Sequence, residues 1–190
     1  RWLLKKGVDA GKDQSYVLYT MTQRQLAHTK FPLGDRNKPE IRELACNMQE
    51  ALRVFSGVGI AAPQVGESLR LVVFDIPVDS MGENPTVGEQ LLLPRMPLTV
   101  INPEIVASSD VLCESDEGCL SVPGVYGYVT RPTWAKIRAQ DRNGNWFERE
   151  GEGIVAQCFC HETEHLDGHL FTEKVEEYID PEAMQGGDEE

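Results

Sequence analysis

A helical segment with two histidines around a glutamate constrains this chain more than any other feature. Apolar side chains recur with helical spacing over residues 153–167, and the five residues from position 161 read His-Glu-Thr-Glu-His. Because residues four positions apart project from one face of a helix, His161 and His165 can direct two imidazole nitrogens at one metal ion. Glu162 can hold a water molecule beside that ion. The pattern predicts a metal site on this helix.

The composition is that of one folded domain with an acidic surface. Of the 190 residues, 41% are hydrophobic, and we expect a single domain over residues 1–178 with an acidic, mobile tail over residues 179–190. The net charge of −13 argues against direct binding to nucleic acid or to an anionic membrane. No apolar run reaches the roughly 18 to 20 residues of a membrane span. We therefore expect a soluble protein.

The hydrophobic pattern predicts two helices and several antiparallel strands. Apolar residues at steps of three and four predict a first helix over residues 39–55, and the second helix covers residues 153–167. The Asn143-Gly144 pair favours a tight hairpin, so the middle of the protein is expected to be antiparallel. The predicted strands are residues 16–20, 69–76, 98–107, 111–113, 134–139 and 146–150, and residues 77–97 are predicted to form a long loop.

A segment of small residues follows the first helix. Residues 57–66 read Gly-Val-Gly-Ile-Ala-Ala-Pro-Gln-Val-Gly, which supplies too little side-chain bulk for an ordinary core. Glycines allow another group to approach the backbone closely. The segment is therefore predicted to form the wall of a site.

The two histidines need a third protein ligand to form a catalytic metal site. His169 is unsuitable because it lies about 12 Å beyond His161 along a continuing helix, so we expect it to be a charge partner at the helix end. A metalloprotease-like site would instead use a glutamate beyond the helix. The stronger candidate is Cys119, which lies next to Gly118 before a predicted strand start and can present a thiolate there. The glutamates available to the protease alternative are Glu173, Glu176, Glu177 and Glu182.

Three segments together resemble the peptide deformylase family. Residues 57–64 match its Gly-h-Gly-h-Ala-Ala-Pro-Gln signature, in which h is an apolar residue, and residues 117–121 match its Glu-Gly-Cys-Leu-Ser signature. Residues 161–165 match its His-Glu-x-Asp-His signature, except that Glu164 replaces the aspartate. The resemblance covers about residues 39–174. It implies an α+β fold in which antiparallel sheets pack around a central C-terminal helix that carries the His-Glu-x-x-His motif.

The resemblance also implies an activity, a metal site and two catalytic elements. Deformylases remove the formyl group from the N-terminal formylmethionine of new polypeptides and release formate. The implied ligands of one divalent metal ion are Cys119, His161 and His165. Fe(II) is the expected ion, and a thiolate with two imidazoles also accepts Zn(II), Co(II) or Ni(II). Glu162 is the implied proton carrier. The oxyanion would be bound by the Gln64 amide and the Leu120 N–H.

Substrate recognition is implied to use mainly the backbone. The residues expected to pair with the peptide main chain are Val58, Gly59 and Gly118. The methionine side chain would enter an apolar pocket formed by Val58, Ile154, Cys158 and His161. The expected partners are therefore N-formylmethionyl peptides or nascent chains. The oligomeric state has no signature in the sequence.

Three departures from the family pattern bear on activity. Glu164 is one methylene longer than the usual aspartate and could re-aim a partner of His165. Cys160 replaces the glutamine usually found before the first histidine, and Gln157 introduces a polar group at an often apolar pocket position. Glu117 and Arg131 are interpreted either as a pair that braces the cysteine loop or as two solvated charges.

Two alternatives to deformylation remain at the level of sequence. One is a metalloprotease that uses His161, Glu162 and His165 with a downstream glutamate; it predicts that Cys119→Ala leaves the metal bound. The other is a deformylase-like protein with impaired catalysis that binds N-terminal peptides. The deformylase function implies an organelle if the source is eukaryotic and the cytoplasm if it is bacterial. The 77–97 insertion and the altered third motif favour the organelle.

Overall fold

The computed structural model describes residues 38–80 and 85–180 and shows an α+β fold, as expected. The helices are α1 (Lys38–Phe55), α2 (Val87–Leu92) and α3 (Gly153–Asp167). The strands are β1 (Gly59–Ala61), β2 (Leu71–Phe74), β3 (Leu98–Ser108), β4 (Leu112–Cys119), β5 (Val122–Pro132), β6 (Trp134–Gln140), β7 (Trp146–Glu152) and β8 (Val175–Ile179). Short 3-10 helices cover Ala62–Val65, Val78–Ser80, Leu93–Arg95 and Phe171–Glu173.

The strands form two antiparallel sheets with α3 between them. The larger sheet has the order β1-β2-β3-β6-β7, and the smaller has the order β4-β5-β8. Helix α3 contacts β6 of the larger sheet and β5 of the smaller one. The central position predicted for the helix with the two histidines is confirmed. This arrangement brings residues from both sheets to one helix face.

Strand β2 shows why the larger sheet is covered on both faces. All four of its residues are buried. Val72 and Phe74 pack in the cluster that contains Phe159 of α3, whereas Leu71 and Val73 pack in the cluster that contains Met48 of α1. Alternate residues of a strand point to opposite faces, so a helix on each face requires an uninterrupted apolar run. The two helices thus fix the sheet from both sides.

Both predicted helices and the Asn143-Gly144 hairpin are confirmed, but the prediction of a long loop at residues 77–97 is wrong. Helix α2 lies inside that range. The Thr86 hydroxyl accepts a hydrogen bond from the Glu89 N–H, and the Glu89 carboxylate accepts one from the Thr86 N–H at 2.7 Å. This reciprocal capping box starts a helix within the segment that had been predicted to be a loop.

The smaller sheet was also predicted incompletely. The strand predicted at residues 111–113 continues to Cys119 as β4. Of β5 only a strand start after Cys119 had been predicted, and β8 had not been predicted. Cys119 is the last residue of β4, and the strand start predicted after it is present, because β5 begins three residues later at Val122. Several strand residues are exposed, which hides the alternation that identifies a strand.

Two predicted segments fall wholly or largely outside the described ranges. They are the strand at residues 16–20 and the tail from residue 179, of which residues 181–190 are not described. Strand β8 ends at Ile179, at the boundary predicted for the tail. Within the described ranges, no helix is both long enough and apolar enough to cross a membrane.

Candidate metal centre and active site

Cys119, His161 and His165 bring their ligand atoms together. Cys119 Sγ lies 3.2 Å from His165 Nε2, which lies 3.1 Å from His161 Nε2. Both histidines project from α3, while the register shift between Gly118 and Cys119 at the end of β4 places the thiol beside them. All three ligand atoms lie within 4.8 Å of one another. In the described part of the chain, no other group of three such residues meets this condition.

The outer nitrogen of each imidazole has its own partner. His161 Nδ1 lies 2.9 Å from Glu117 Oε2, and His165 Nδ1 lies 3.0 Å from the His169 carbonyl oxygen. A carbonyl oxygen can only accept, so His165 Nδ1 is the donor there. Such partners fix the ring orientation and leave Nε2 available for a metal ion. The predicted ligands therefore have the supporting contacts that a metal site requires.

The charges around the ligands favour a cation at their centre. Burial would raise the pKa of Cys119, but hydrogen bonds with His161, His165 and the Ser121 N–H lower it to about 5. Burial would lower the pKa of His161, but its contacts with Cys119 and Glu117 raise it to about 10. The thiolate and the carboxylate thus stabilise positive charge between them. One soft thiolate with two imidazoles suits a divalent transition metal, so the donor set fits the implied ion.

Glu162 lies against the backbone of β1. A Cβ atom added to Gly59 would lie 2.5 Å from Glu162 Oε1, so only glycine leaves room for the carboxylate. The side chain is buried, and among the described residues no hydrogen-bond donor reaches its Oε2 atom. Burial is the main cause that raises the pKa of Glu162 to about 7, and the nearby His161 and His165 oppose it only in part. This carboxylate can therefore both accept and return a proton near neutral pH.

Gln64 has an amide of fixed orientation. Its Oε1 atom accepts a hydrogen bond from the Ala61 N–H at 2.7 Å. The Nε2 atom donates to Ser121 Oγ at 3.0 Å and lies 3.6 Å from Cys119 Sγ. The amide NH₂ group is therefore directed at the ligand cysteine. Leu120, the second predicted oxyanion residue, is partly exposed and lines the same cavity.

A cavity of about 900 Å³ opens beside the metal-ligand group, with Cys119 and His161 in its wall. Strand β1 lies at the edge of the larger sheet and β4 at the edge of the smaller one, as the described strands are ordered, and both contribute to the walls. A Cβ atom on Gly118 of β4 would lie 2.7 Å from the ring of Tyr126 in β5, so the glycine leaves room for this ring. The predicted substrate residues that line the cavity are Val58, Gly59, Gly118, Ile154 and Cys158.

Behind the ligands, Glu117 and Arg131 form a buried ion pair, so they are not two solvated charges. Arg131 Nε donates to Glu117 Oε1 at 2.7 Å, and a second guanidinium nitrogen donates to Oε2 at 3.0 Å. Burial would raise the pKa of Glu117, but hydrogen bonds with His161 and Arg131 outweigh it and lower the pKa to about 2. The carboxylate that holds His161 is thus kept ionised.

The departures from the family pattern have defined surroundings. Glu164 Oε1 accepts hydrogen bonds from Arg131 at 2.6 Å and from Lys174 at 2.5 Å. The Gln157 amide donates to the Asp116 carbonyl oxygen at 2.9 Å, which uses one of its two protons, and both residues line the cavity. Cys160 is partly buried, which raises its pKa.

Sequence reasoning missed two supports of the ligand histidines. The His169 carbonyl holds His165, and the buried Phe171 ring stacks on His161 with ring centroids 6.0 Å apart. Gly168 was the one sequence signal for these supports. It ends α3 in the left-handed conformation, and the chain then turns back toward the helix. The metal-ligand group includes none of the downstream glutamates that the structure describes, which are Glu173, Glu176 and Glu177, and Glu173 instead contacts His169 at 2.8 Å. Glu182 lies outside the described residues.

Comparisons with known proteins agree with this geometry. The model of the polypeptide deformylase family matches residues 16–179, which extends beyond the 39–174 range of the sequence resemblance. The chain is 45% identical over 137 residues to a peptide deformylase of Lachnoclostridium phytofermentans, covering 72% of this chain and 75% of the relative.

Two solved structures are similar in fold. A peptide deformylase from Thermotoga maritima has a TM-score of 0.61 and 32% identity, over 74% of this chain and 85% of the other. A peptide deformylase from Synechococcus elongatus, solved in complex with actinonin, has a TM-score of 0.62 and 35% identity, over 72% of this chain and 66% of the other. The motifs, the Cys/His/His group and these likenesses agree: the chain belongs to the polypeptide deformylase family of metallo-hydrolases.

Proposed function

We propose that this chain removes the formyl group from N-formylmethionyl peptides in the cavity between β1 and β4. Cys119, His161 and His165 hold one divalent metal ion, and Glu162 carries the proton. The observation that supports this most strongly is the buried Glu162 carboxylate, which lies against Gly59 and adjoins a ligand histidine. Its Oε2 atom has no donor among the described residues, and a buried carboxylate oxygen without a donor is costly, which is typical of a reactive group.

The metal ion, when bound, supplies positive charge that activates water and polarises the formyl carbonyl. Glu162 accepts a proton from the attacking water and then delivers it to the leaving amine nitrogen. Its pKa of about 7 suits both transfers, because neither protonation state is strongly favoured near neutral pH. The products are formate and a free amino terminus.

Negative charge on the formyl oxygen is stabilised by Gln64 and Leu120. The Gln64 NH₂ group already points at Cys119, because Ala61 holds the other end of the amide. The Leu120 N–H is the second proposed donor. Donors that are oriented before the reaction need no reorganisation when charge develops, and this is the source of their effect.

The peptide binds as an additional strand along the two edge strands. Val58, Gly59 and Gly118 offer backbone groups, so recognition depends little on the residues that follow methionine. The methionine side chain enters the pocket on α3, where Ile154, Cys158 and His161 lie on one helix face. The Synechococcus elongatus relative was solved in complex with actinonin, so a protein of this fold binds a ligand.

Fe(II) is the proposed ion, and Zn(II), Co(II) or Ni(II) can occupy the same ligands. The choice of iron rests on the family resemblance. The protein is proposed to act where translation starts with formylmethionine, which means the bacterial cytoplasm or an organelle.

The test is formate release from a formyl-Met peptide by protein loaded anaerobically with Fe(II) or Co(II). A Glu162→Gln variant with the same metal content is the matched control, because it keeps the side-chain shape and removes the base. We expect release by the parent and a loss of at least about 100-fold in the variant. Tight peptide binding by the metal-loaded parent without formate release would contradict the proposal and favour a binding protein.

A further inference from the structure

The segment after α3 supports both ligand histidines. This brace, residues 169–174, contributes the His169 carbonyl to His165 and the Phe171 ring to His161. The Phe171 side chain is almost fully buried, so its stacking contact is fixed by the core. The brace ends at Lys174, whose N–H donates to the Phe171 carbonyl oxygen at 2.8 Å. Lys174 is therefore held beside the metal site although it lies outside its motifs.

Lys174 starts a continuous line of charged contacts that ends at a ligand. Its ammonium donates to Glu164 Oε1 at 2.5 Å, and Arg131 donates to the same oxygen at 2.6 Å. Two other nitrogens of Arg131 hold the two oxygens of Glu117. Glu117 in turn contacts His161 Nδ1 at 2.9 Å. The line thus runs from a surface lysine to a ligand imidazole.

The line passes from solvent into the core. The Lys174 side chain is 51% exposed, that of Glu164 is 20% exposed, and that of Arg131 is only 3% exposed. The four side chains of the line carry two positive and two negative charges. Removal of Lys174 would leave Arg131 as the only cation of the line for two carboxylates. Because the guanidinium is buried, a shift toward Glu164 would loosen its two-nitrogen grip on Glu117.

Glu164 depends on these two cations. Its Oε2 atom is buried, and in the described part of the chain no donor reaches it. All of the hydrogen bonds seen at this carboxylate therefore converge on Oε1. Loss of the Lys174 donor would therefore change the hydrogen bond that Arg131 makes with the same oxygen.

We propose that Lys174 is a positioning residue for the metal site. By sharing Glu164 with Arg131, it keeps the guanidinium on Glu117, and Glu117 then fixes the orientation of His161. The inference rests on the proposed role of Cys119, His161 and His165 as metal ligands. Lys174 touches neither substrate nor metal, so its effect is expected in metal affinity and ligand geometry.

The experiment measures Co(II) affinity by chelator competition and the Co(II) d–d absorption spectrum. Lys174→Met should weaken Co(II) binding by about tenfold and shift the absorption bands, as changes in partners of metal ligands do. Lys174→Arg should restore both readouts because it keeps a donor cation. Lys136→Met is the matched control, since Lys136 also forms a lysine–glutamate ion pair, with Glu150 at 2.9 Å. It should leave both readouts unchanged.

A second background separates positioning from a general loss of stability. In Glu164→Gln protein the carboxylate that competes for Arg131 is gone, so adding Lys174→Met should cause little further loss of Co(II) affinity. An equal loss in both backgrounds would overturn the proposal. A Lys174→Met protein with the affinity and spectrum of the parent would overturn it too, as would an equal loss in Lys136→Met.

These readouts are independent of deformylation. If the parent binds Co(II) but releases no formate, the proposed function fails while a weakened Lys174→Met protein still supports the positioning role. If the parent releases formate and Lys174→Met binds Co(II) normally, the function stands and the positioning role is wrong.

Discussion

The two buried glutamates on either side of His161 behave in opposite ways. Glu162, at the cavity, is 5% exposed, and its pKa is raised to about 7. Glu117, behind the ligand, is 4% exposed, and its pKa is lowered to about 2. Burial alone would raise the pKa of both carboxylates, so the opposite net shifts come from their different partners. Arg131 and His161 hold Glu117, whereas no donor among the described residues reaches Glu162 Oε2.

The two carboxylates therefore suit different roles: Glu117 orients a metal-ligand histidine, whereas Glu162 transfers a proton. A carboxylate fully engaged by cations stays ionised and orients its neighbour, which suits the back of a metal site. A carboxylate left with an open oxygen can take up and release a proton, which suits the front. Substitutions at the front of the site should therefore lower the catalytic rate, whereas substitutions at the back should lower metal affinity.

The largest expected effect is at the front. Gln64→Leu removes a proposed oxyanion donor and should lower kcat by about 10²- to 10³-fold, with little change in metal affinity. Steady-state kinetics with a formyl-Met peptide and metal analysis measure both. Ser121→Ala is the control, because it removes a contact of the same amide without removing the donor. Equal losses in the two variants would contradict the role of Gln64.

Gly59→Ala should displace Glu162 without changing any titratable group. The added Cβ would lie 2.5 Å from Glu162 Oε1, so the carboxylate must move. A displacement of about 1 Å in a catalytic group can cost on the order of 10²-fold in rate. Gly57→Ala is the matched control, since its Cβ would meet only the ends of the Leu120 and Leu52 side chains. Full activity of Gly59→Ala would show that the position of Glu162 matters little.

Glu117→Gln should damage the back of the site. It removes the charge that holds His161 and leaves Arg131 with weaker partners, so metal affinity should fall by about 10- to 100-fold. Glu162→Gln should bind metal like the parent. Chelator competition on both variants measures the difference. Equal affinities in the two variants would remove the distinction between back and front.

The two glutamates also affect the stability of the fold, with opposite signs. The lowered pKa of Glu117 stabilises the fold above the unfolded value of 4.5, and this contribution is lost as pH falls toward 2. The raised pKa of Glu162 instead destabilises the fold, with a cost that grows between pH 4.5 and about 7. Each contribution is on the order of 3 kcal/mol at pH 8.

Denaturant unfolding of metal-free protein across pH measures these contributions. At pH 8, Glu162→Gln should be more stable than the parent, and its advantage should vanish below pH 4.5. Glu117→Gln should be less stable, and its deficit should shrink as pH falls. The same sign in both variants would contradict the assignment.

The elements that could be predicted from the sequence carry a strong local signal. Helix α3 has apolar residues at helical spacing, and the hairpin carries the Asn143-Gly144 turn pair. Helix α2 was missed because its signal is the pair Thr86 and Glu89 rather than an apolar stripe. Strand β8 was missed because its residues are mostly exposed, so no alternation marks it.

The site was predictable where its residues lie in long motifs, and less so where tertiary contacts decide. The convergence of Cys119 with His161 and His165 agrees with the motif-based expectation. The support from Phe171 and Lys174 depends on the turn at Gly168, which brings the chain back beneath α3. The pKa of Glu162 depends on burial that no local pattern reveals.

The most direct test of the contrast between the two glutamates is a pH titration of side-chain carboxyl signals. NMR of metal-free protein labelled with ¹³C in its glutamates would report each group, and Glu162→Gln and Glu117→Gln would assign the two signals. We expect the Glu162 signal to titrate near pH 7 and the Glu117 signal to remain ionised to about pH 2. Titration of both signals together near pH 4.5 would contradict the division between a holding carboxylate and a reactive one.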